Sequence, residues 1–223
     1  IINALARGIE EPSYVVGCQD RRRVLTEPAF VGRERELKQI EQSMAAAAAG
    51  AAQLIILEAE SGGGKSRLLG EIAARAVQNG MRVLRGQGLQ QVGQQPYRLF
   101  GGVVAELIAE SRSNPDFARQ LYEGLGDQAD AIADALPQLA EGLGWKTSRV
   151  SGPAAFAETR SVQAVAALLN LLGSWKRPVL LMLDDCQWAD ELTLKVVRHW
   201  RSQQQGSRTS AILAILAFRS EEV

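Results

Sequence analysis

A short apolar strand that runs straight into three glycines, a lysine and a serine leaves a chain few choices of fold. Leu54-Ile55-Ile56-Leu57 reads as a buried strand, Ala59-Glu60-Ser61-Gly62-Gly63-Gly64-Lys65-Ser66 as a glycine-rich turn, and Arg67 to Gln78 as a helix. That helix places Leu68, Leu69, Ile72, Ala73, Ala76 and Val77 on one face and ends at Asn79-Gly80. Glycines let the turn curl its backbone N–H groups around an anion, and the following helix presents its positive end to the same point. A strand–turn–helix unit of this kind belongs in a parallel sheet with helices on its faces.

The spacing matches the phosphate-binding loop of the P-loop NTPases at all but its first glycine, where Ala59 stands. Lys65 is expected to reach the β- and γ-phosphates and the Ser66 hydroxyl to ligate Mg²⁺, with Glu60, Ser61, Gly62, Gly63 and Gly64 around the anion. Ala59 carries a Cβ that resists positive φ, so a formed loop with weakened affinity is expected.

Mg²⁺ prefers oxygen ligands, and such a site needs a carboxylate on a second element. Val179-Leu180-Leu181-Met182-Leu183 is a continuous apolar run typical of a strand buried on both faces, and Asp184-Asp185 end it. Ligands of α/β sheets gather at that end of the strands. Asp184 is therefore assigned to Mg²⁺, directly or through a coordinated water, and Asp185 to polarising the attacking water. Taken alone, an Asp-Asp pair after a strand also fits a turn or a helix cap. Ala211 to Phe218 forms another buried strand, closed by Arg219. An arginine there is either solvated or aimed at the charge that builds on the γ-phosphate oxygens. Sheet order would place this strand between the other two, which favours the second role.

The remainder alternates in the same manner. Residues from Arg33 to Ala49 are helical, Met81 to Gly86 form a strand, and periodic stretches near 98–111, 115–124 and 128–141 indicate a helical insertion over about 98–150. A loop covers about 142–153. A helix from about 155 to 173 carries Phe156, Val162, Val165, Leu168, Leu169 and Leu172, and Asp190 caps one from Glu191 to about Ser202. The fold class is α/β: a P-loop NTPase with a parallel, AAA-like sheet flanked by helices. Residues 1–28 read as a short helix and an extended linker, and 29–223 as the ATPase core. The stop after Glu221-Glu222-Val223 and the missing initiator Met suggest a piece of a longer protein.

Lys+Arg and Asp+Glu both number 25, a balance that argues against a dedicated nucleic-acid surface. Cys18 and Cys186 lack metal-ligand spacing and fit a reduced cytoplasmic compartment. No run approaches ~18 apolar residues, so no membrane partner is implied. Arg21-Arg22-Arg23 reads as a solvated face, His199 as a partly exposed helix residue, and Arg160 as the partner of Glu158 or a nearby acid.

Phe30-Val31-Gly32-Arg33-Glu34, the phosphate-loop stretch, Leu181-Met182-Leu183-Asp184-Asp185-Cys186-Gln187-Trp188-Ala189-Asp190 and Leu216-Ala217-Phe218-Arg219-Ser220-Glu221-Glu222 occur in that order. Together they resemble the AAA-type ATPase module of the STAND signal-transduction NTPases, from about residue 29 to 223. The resemblance implies that Val31, Gly32 and Arg33 pack near adenine and ribose. It also implies that Asp184 and Asp185 are the paired Walker B acids and that Arg219 ends the sensor strand. ATP binding and slow hydrolysis would then act as a conformational switch. Residues 1–28 look like the junction after a Ser/Thr kinase domain in large bacterial kinases. Expected partners are nucleotide, other domains of the same longer chain, and a second copy on ATP binding. A non-hydrolysing or degenerate scaffold module is the alternative, favoured by Ala59 and by the family's absent C-terminal region. No N-K-x-D segment for guanine occurs.

Overall fold

The computed structural model describes residues 33–60, 63–90, 95–146, 156–204 and 210–220, together with the backbone of 13–16. Its sheet has five parallel strands: β1 (Ser13–Val16), β2 (Gln53–Ala59), β3 (Arg82–Gln87), β4 (Val179–Asp184) and β5 (Ile212–Arg219). They lie in the order β1-β2-β5-β4-β3. The helices are α1 (Glu34–Ala48), α2 (Lys65–Gln78), α3 (Gly101–Ser113), α4 (Pro115–Leu125), α5 (Ala129–Ala135), α6 (Pro137–Gly142), α7 (Ala157–Ser174) and α8 (Glu191–Gln203).

Strand side chains point alternately to the two faces of a sheet, so an apolar strand must find a partner layer on each. Ile55, Leu57, Leu180, Met182, Leu213 and Ile215 pack with Leu37 and Ile40 of α1 and Leu68 and Ile72 of α2. Leu54, Ile56, Leu181, Leu183, Leu216 and Phe218 belong to the opposite core, with side chains of α3 to α8. The helical insertion is part of that second core: Phe117, Leu121, Ile132 and Leu139 share one cluster with Leu168 and Trp200. Arg82 fastens its edge. The guanidinium lies 5.4 Å from the Phe117 ring centroid and 5.2 Å from that of Trp175, and it donates to Glu110 at 2.6 Å. Burial lowers the Arg82 pKa, and the Glu110 charge opposes the shift.

Four sequence expectations are corrected. Within the expected tail and linker, Ser13–Val16 add a fifth strand, paired with β2 from Ser13↔Ile55 to Val16↔Glu58. The single helical pattern over 128–141 is two helices, because Pro137 has no N–H to donate and drives Leu136 out of helical geometry (φ −130°, ψ 66°). Val77 is exposed: Ala76 takes the inward position, and one residue further on the helix has turned by about 100°. Phe156 precedes α7 and is also exposed.

Candidate functional site

The carboxyl ends of β2, β4, β5 and β3 bring the site together. β2 ends at Ala59, which pairs in register with Arg219 of β5. Ala59 is buried strand backbone, and the only non-glycine residues with positive φ among those described are Tyr97 and Asp185. The left-handed demand expected at the first position of the motif is therefore absent at Ala59. It falls on Gly64 instead, at φ 76° immediately before α2, where glycine is at no disadvantage. Gly63 N–H donates to the Glu60 carbonyl at 2.9 Å and tightens the turn. A Cβ at Gly63 would stand 2.9 Å from that same oxygen.

Lys65 opens α2 and is buried. Its ammonium donates to Asp184 Oδ1 and to Asp185 Oδ1 at 2.7 Å. Asp185 follows β4 with φ 51°, an uncommon conformation for a residue with a side chain. Its amide donates to Asp184 Oδ1 at 2.7 Å. Gln87, the last residue of β3, donates Nε2 to Asp185 Oδ2 at 3.1 Å. Gln187 Nε2 reaches Asp185 Oδ1 at 3.4 Å, and Arg219 Nε stands 3.5 Å from that oxygen. Burial by itself would push the Asp185 carboxyl up. The hydrogen bonds from Lys65, Gln87 and Gln187 and the Lys65 charge outweigh it and hold the carboxyl below its ordinary range.

Arg33, just before α1, crosses to the loop and donates an Nη2 hydrogen to the Gly63 carbonyl. Its Nη1 is buried and has no hydrogen-bond partner among the described residues. Ser66 is exposed in the first turn of α2, on the wall of a cavity that Asp184 also lines. Glu60 is exposed. Val31, Gly32, Ser61 and Gly62 lie outside the described residues.

Sequence reasoning thus places Lys65, Asp184, Asp185 and Arg219 in one cluster and misses Gln87. A polar residue ending an edge strand carries no motif spacing; only its place at the carboxyl end of a parallel sheet marks it. Asp190 caps α8 as expected, accepting from Thr193 N at 2.9 Å. It also accepts from the Tyr97 amide at 3.1 Å. Trp188, within the same stretch, is exposed. The Cys186 thiol is pushed up chiefly by burial, with the neighbouring carboxylates adding to it, and it donates to the Leu183 carbonyl at 3.1 Å.

A parallel sheet with a central β2-β5-β4 order, a glycine-rich turn into a lysine, and two carboxylates facing that lysine define a P-loop NTPase fold. Residues 29–213 match the family model of the AAA ATPase domain, and the chain belongs to that family. The membership implies a capacity to bind and hydrolyse ATP. No curated protein matches the chain. Among the described residues no helix is long and apolar enough to cross a membrane.

Proposed function

We propose that the chain is a Mg²⁺-dependent ATP-binding switch with slow hydrolysis, of the STAND class and part of a larger bacterial signalling protein in the cytoplasm. The observation that carries this reading is the convergence of Lys65, Asp184, Asp185 and Arg219 from separate elements onto one point. Lys65, with Glu60, Ser61, Gly62, Gly63 and Gly64, holds the phosphates. Val31, Gly32 and Arg33 flank the base and ribose, and the unpartnered buried Nη1 of Arg33 leaves a donor for the ligand. Ser66 and Asp184 are the residues that would hold Mg²⁺, which supplies charge neutralisation at the phosphate oxygens. No three His, Cys, Asp or Glu side chains cluster as a metal cage among the described residues. That sparse donor set suits an ion completed by phosphate and water oxygens.

Asp185 accepts hydrogen bonds and stays ionised, so it is fit to orient and polarise an attacking water. Arg219 offers a guanidinium to the charge that develops on the transferred group. The nucleotide-dependent exchange of Lys65 between carboxylates and phosphates is the switching event. Other domains of the longer chain read it out, with a second copy joining on ATP binding.

Equilibrium binding of Mg·ATP, Mg·ADP and Mg·GTP to the chain, beside Lys65→Ala, tests the reading. Adenine-selective binding that disappears in the variant is expected. Equal Mg·ATP binding by Lys65→Ala, or none by the parent, would overturn it.

A further inference from the structure

A cavity of about 670 Å³ opens between α2, the end of β3 and the start of α3. It adjoins Ser66 and Asp184, but Gly63, Gly64, Lys65 and Arg33 are not on its walls. Its volume falls in the range of small-molecule sites. Leu69, Leu89 and Met182 give it apolar surface. Its charged residues are Arg85, Arg98, Glu106 and Asp184. Glu106 is matched by Arg85, whose Nη1 lies 3.8 Å from Oε1 and whose amide donates to Oε2 at 3.2 Å. Asp184 is matched by Lys65. The half-buried Arg98 guanidinium has no hydrogen bond or ion pair with any described residue.

From this we infer that the cavity is a second ligand site, for a small organic monoanion whose apolar body rests on Leu69, Leu89 and Met182 and whose acidic head pairs with Arg98. Three of the four charges already have partners, so a cationic ligand would leave Arg98 opposed. A dianion would bring one charge too many. A guanidinium that meets a carboxylate, sulfonate or phosphate diester head makes a charge-assisted and directional contact. Arg98 also borders a second cavity, which holds the carboxylates of Asp134 and Glu158 and is therefore the less suited of the two to an anion. The inference goes beyond the ATP-binding reading and does not rest on it.

The test uses the 223-residue chain and two fluorescent probes of similar shape. Anilinonaphthalene sulfonate carries one negative charge, and phenylnaphthylamine is neutral. Gly70 lines this cavity but not the second, and a Cβ built on it meets nothing within 4 Å, so Gly70→Leu projects a side chain into the space from an open position. The anionic probe is expected to bind saturably at one site. Arg98→Gln should weaken it about tenfold while leaving the neutral probe within about twofold. Gly70→Leu, with folding confirmed by thermal melting, should weaken both probes by about tenfold or more. Saturating Mg·ATP should not displace the probe. Absence of saturable binding, unchanged anion binding by either variant, or competition by Mg·ATP would each overturn the inference, the last by assigning the cavity to the nucleotide.

Discussion

The carboxylate of Asp185 stands 2.7 Å from the ammonium of Lys65, across a separation of 120 residues in the chain. Asp184 holds the same ammonium from a second side. A phosphate that enters the loop must therefore compete with two carboxylates for one cation. In the proposed role of Lys65, nucleotide affinity depends as much on what the ammonium leaves as on what it gains.

Replacing Asp185 with Asn removes one competitor and the proposed water-orienting group together. Mg·ATP should bind the variant as tightly as the parent or up to about tenfold more tightly. Phosphate release should fall by about 10²-fold or more. Calorimetric titration and a phosphate-release assay read the two effects separately. Unchanged turnover would remove Asp185 from the hydrolytic role.

Lys65→Ala removes the ammonium that both carboxylates share and leaves Arg219 as the cation beside Asp185, and urea unfolding at pH 7 should show a loss of roughly 1–3 kcal/mol. The Asp185 carboxyl is held below its ordinary value in the folded state. A group of that kind contributes stability above its unfolded pKa, about 3.9, and gives it up as pH falls through the folded value. The gap between parent and variant should therefore narrow as the pH drops below about 4. A gap that widened in acid would contradict the pairing.

Gly86 sits where β3 meets the turn before α3. A Cβ there would lie 2.1 Å from the Leu99 carbonyl oxygen and 2.9 Å from Leu183 Cδ2. Gly86→Ala should cost roughly 1–3 kcal/mol through this overpacking. Gly70→Ala, in open space within α2, should instead stabilise by roughly 0.5–1 kcal/mol. Denaturant midpoints of the two variants moving in the same direction would refute the close approach at Gly86.

Much of this was legible because the chemistry sits in unbroken stretches. The apolar run before the glycines and the one before Asp184 each fit a buried parallel strand, and the placement of β5 between them followed from the NTPase topology. Residues that act through tertiary position left no such trace. Gln87 meets Asp185 only because β3 lies beside β4, with Gln87↔Asp184 in register. Tyr97, at φ 60°, is fixed from afar by Asp190 and Ser161. Ser13–Val16 have no period long enough to separate a strand from a linker. The motif asks for glycine where Ala59 stands, whereas the strand backbone there makes no such demand.

The strand order has a further consequence for how the protein comes to work. β5 is the last of these strands along the chain, yet it is the one that joins β2 to β4. The ribosome has therefore delivered the glycine loop, the lysine and both acids before the strand that lies between β2 and β4. Pairing Gln53–Ala59 and Val179–Leu183 with Ile212–Arg219 is the long-range step that aligns these strand ends, and such steps are the slow ones in folding. A nucleotide held at this site would thus stabilise a nascent chain only once β5 has been threaded between β2 and β4.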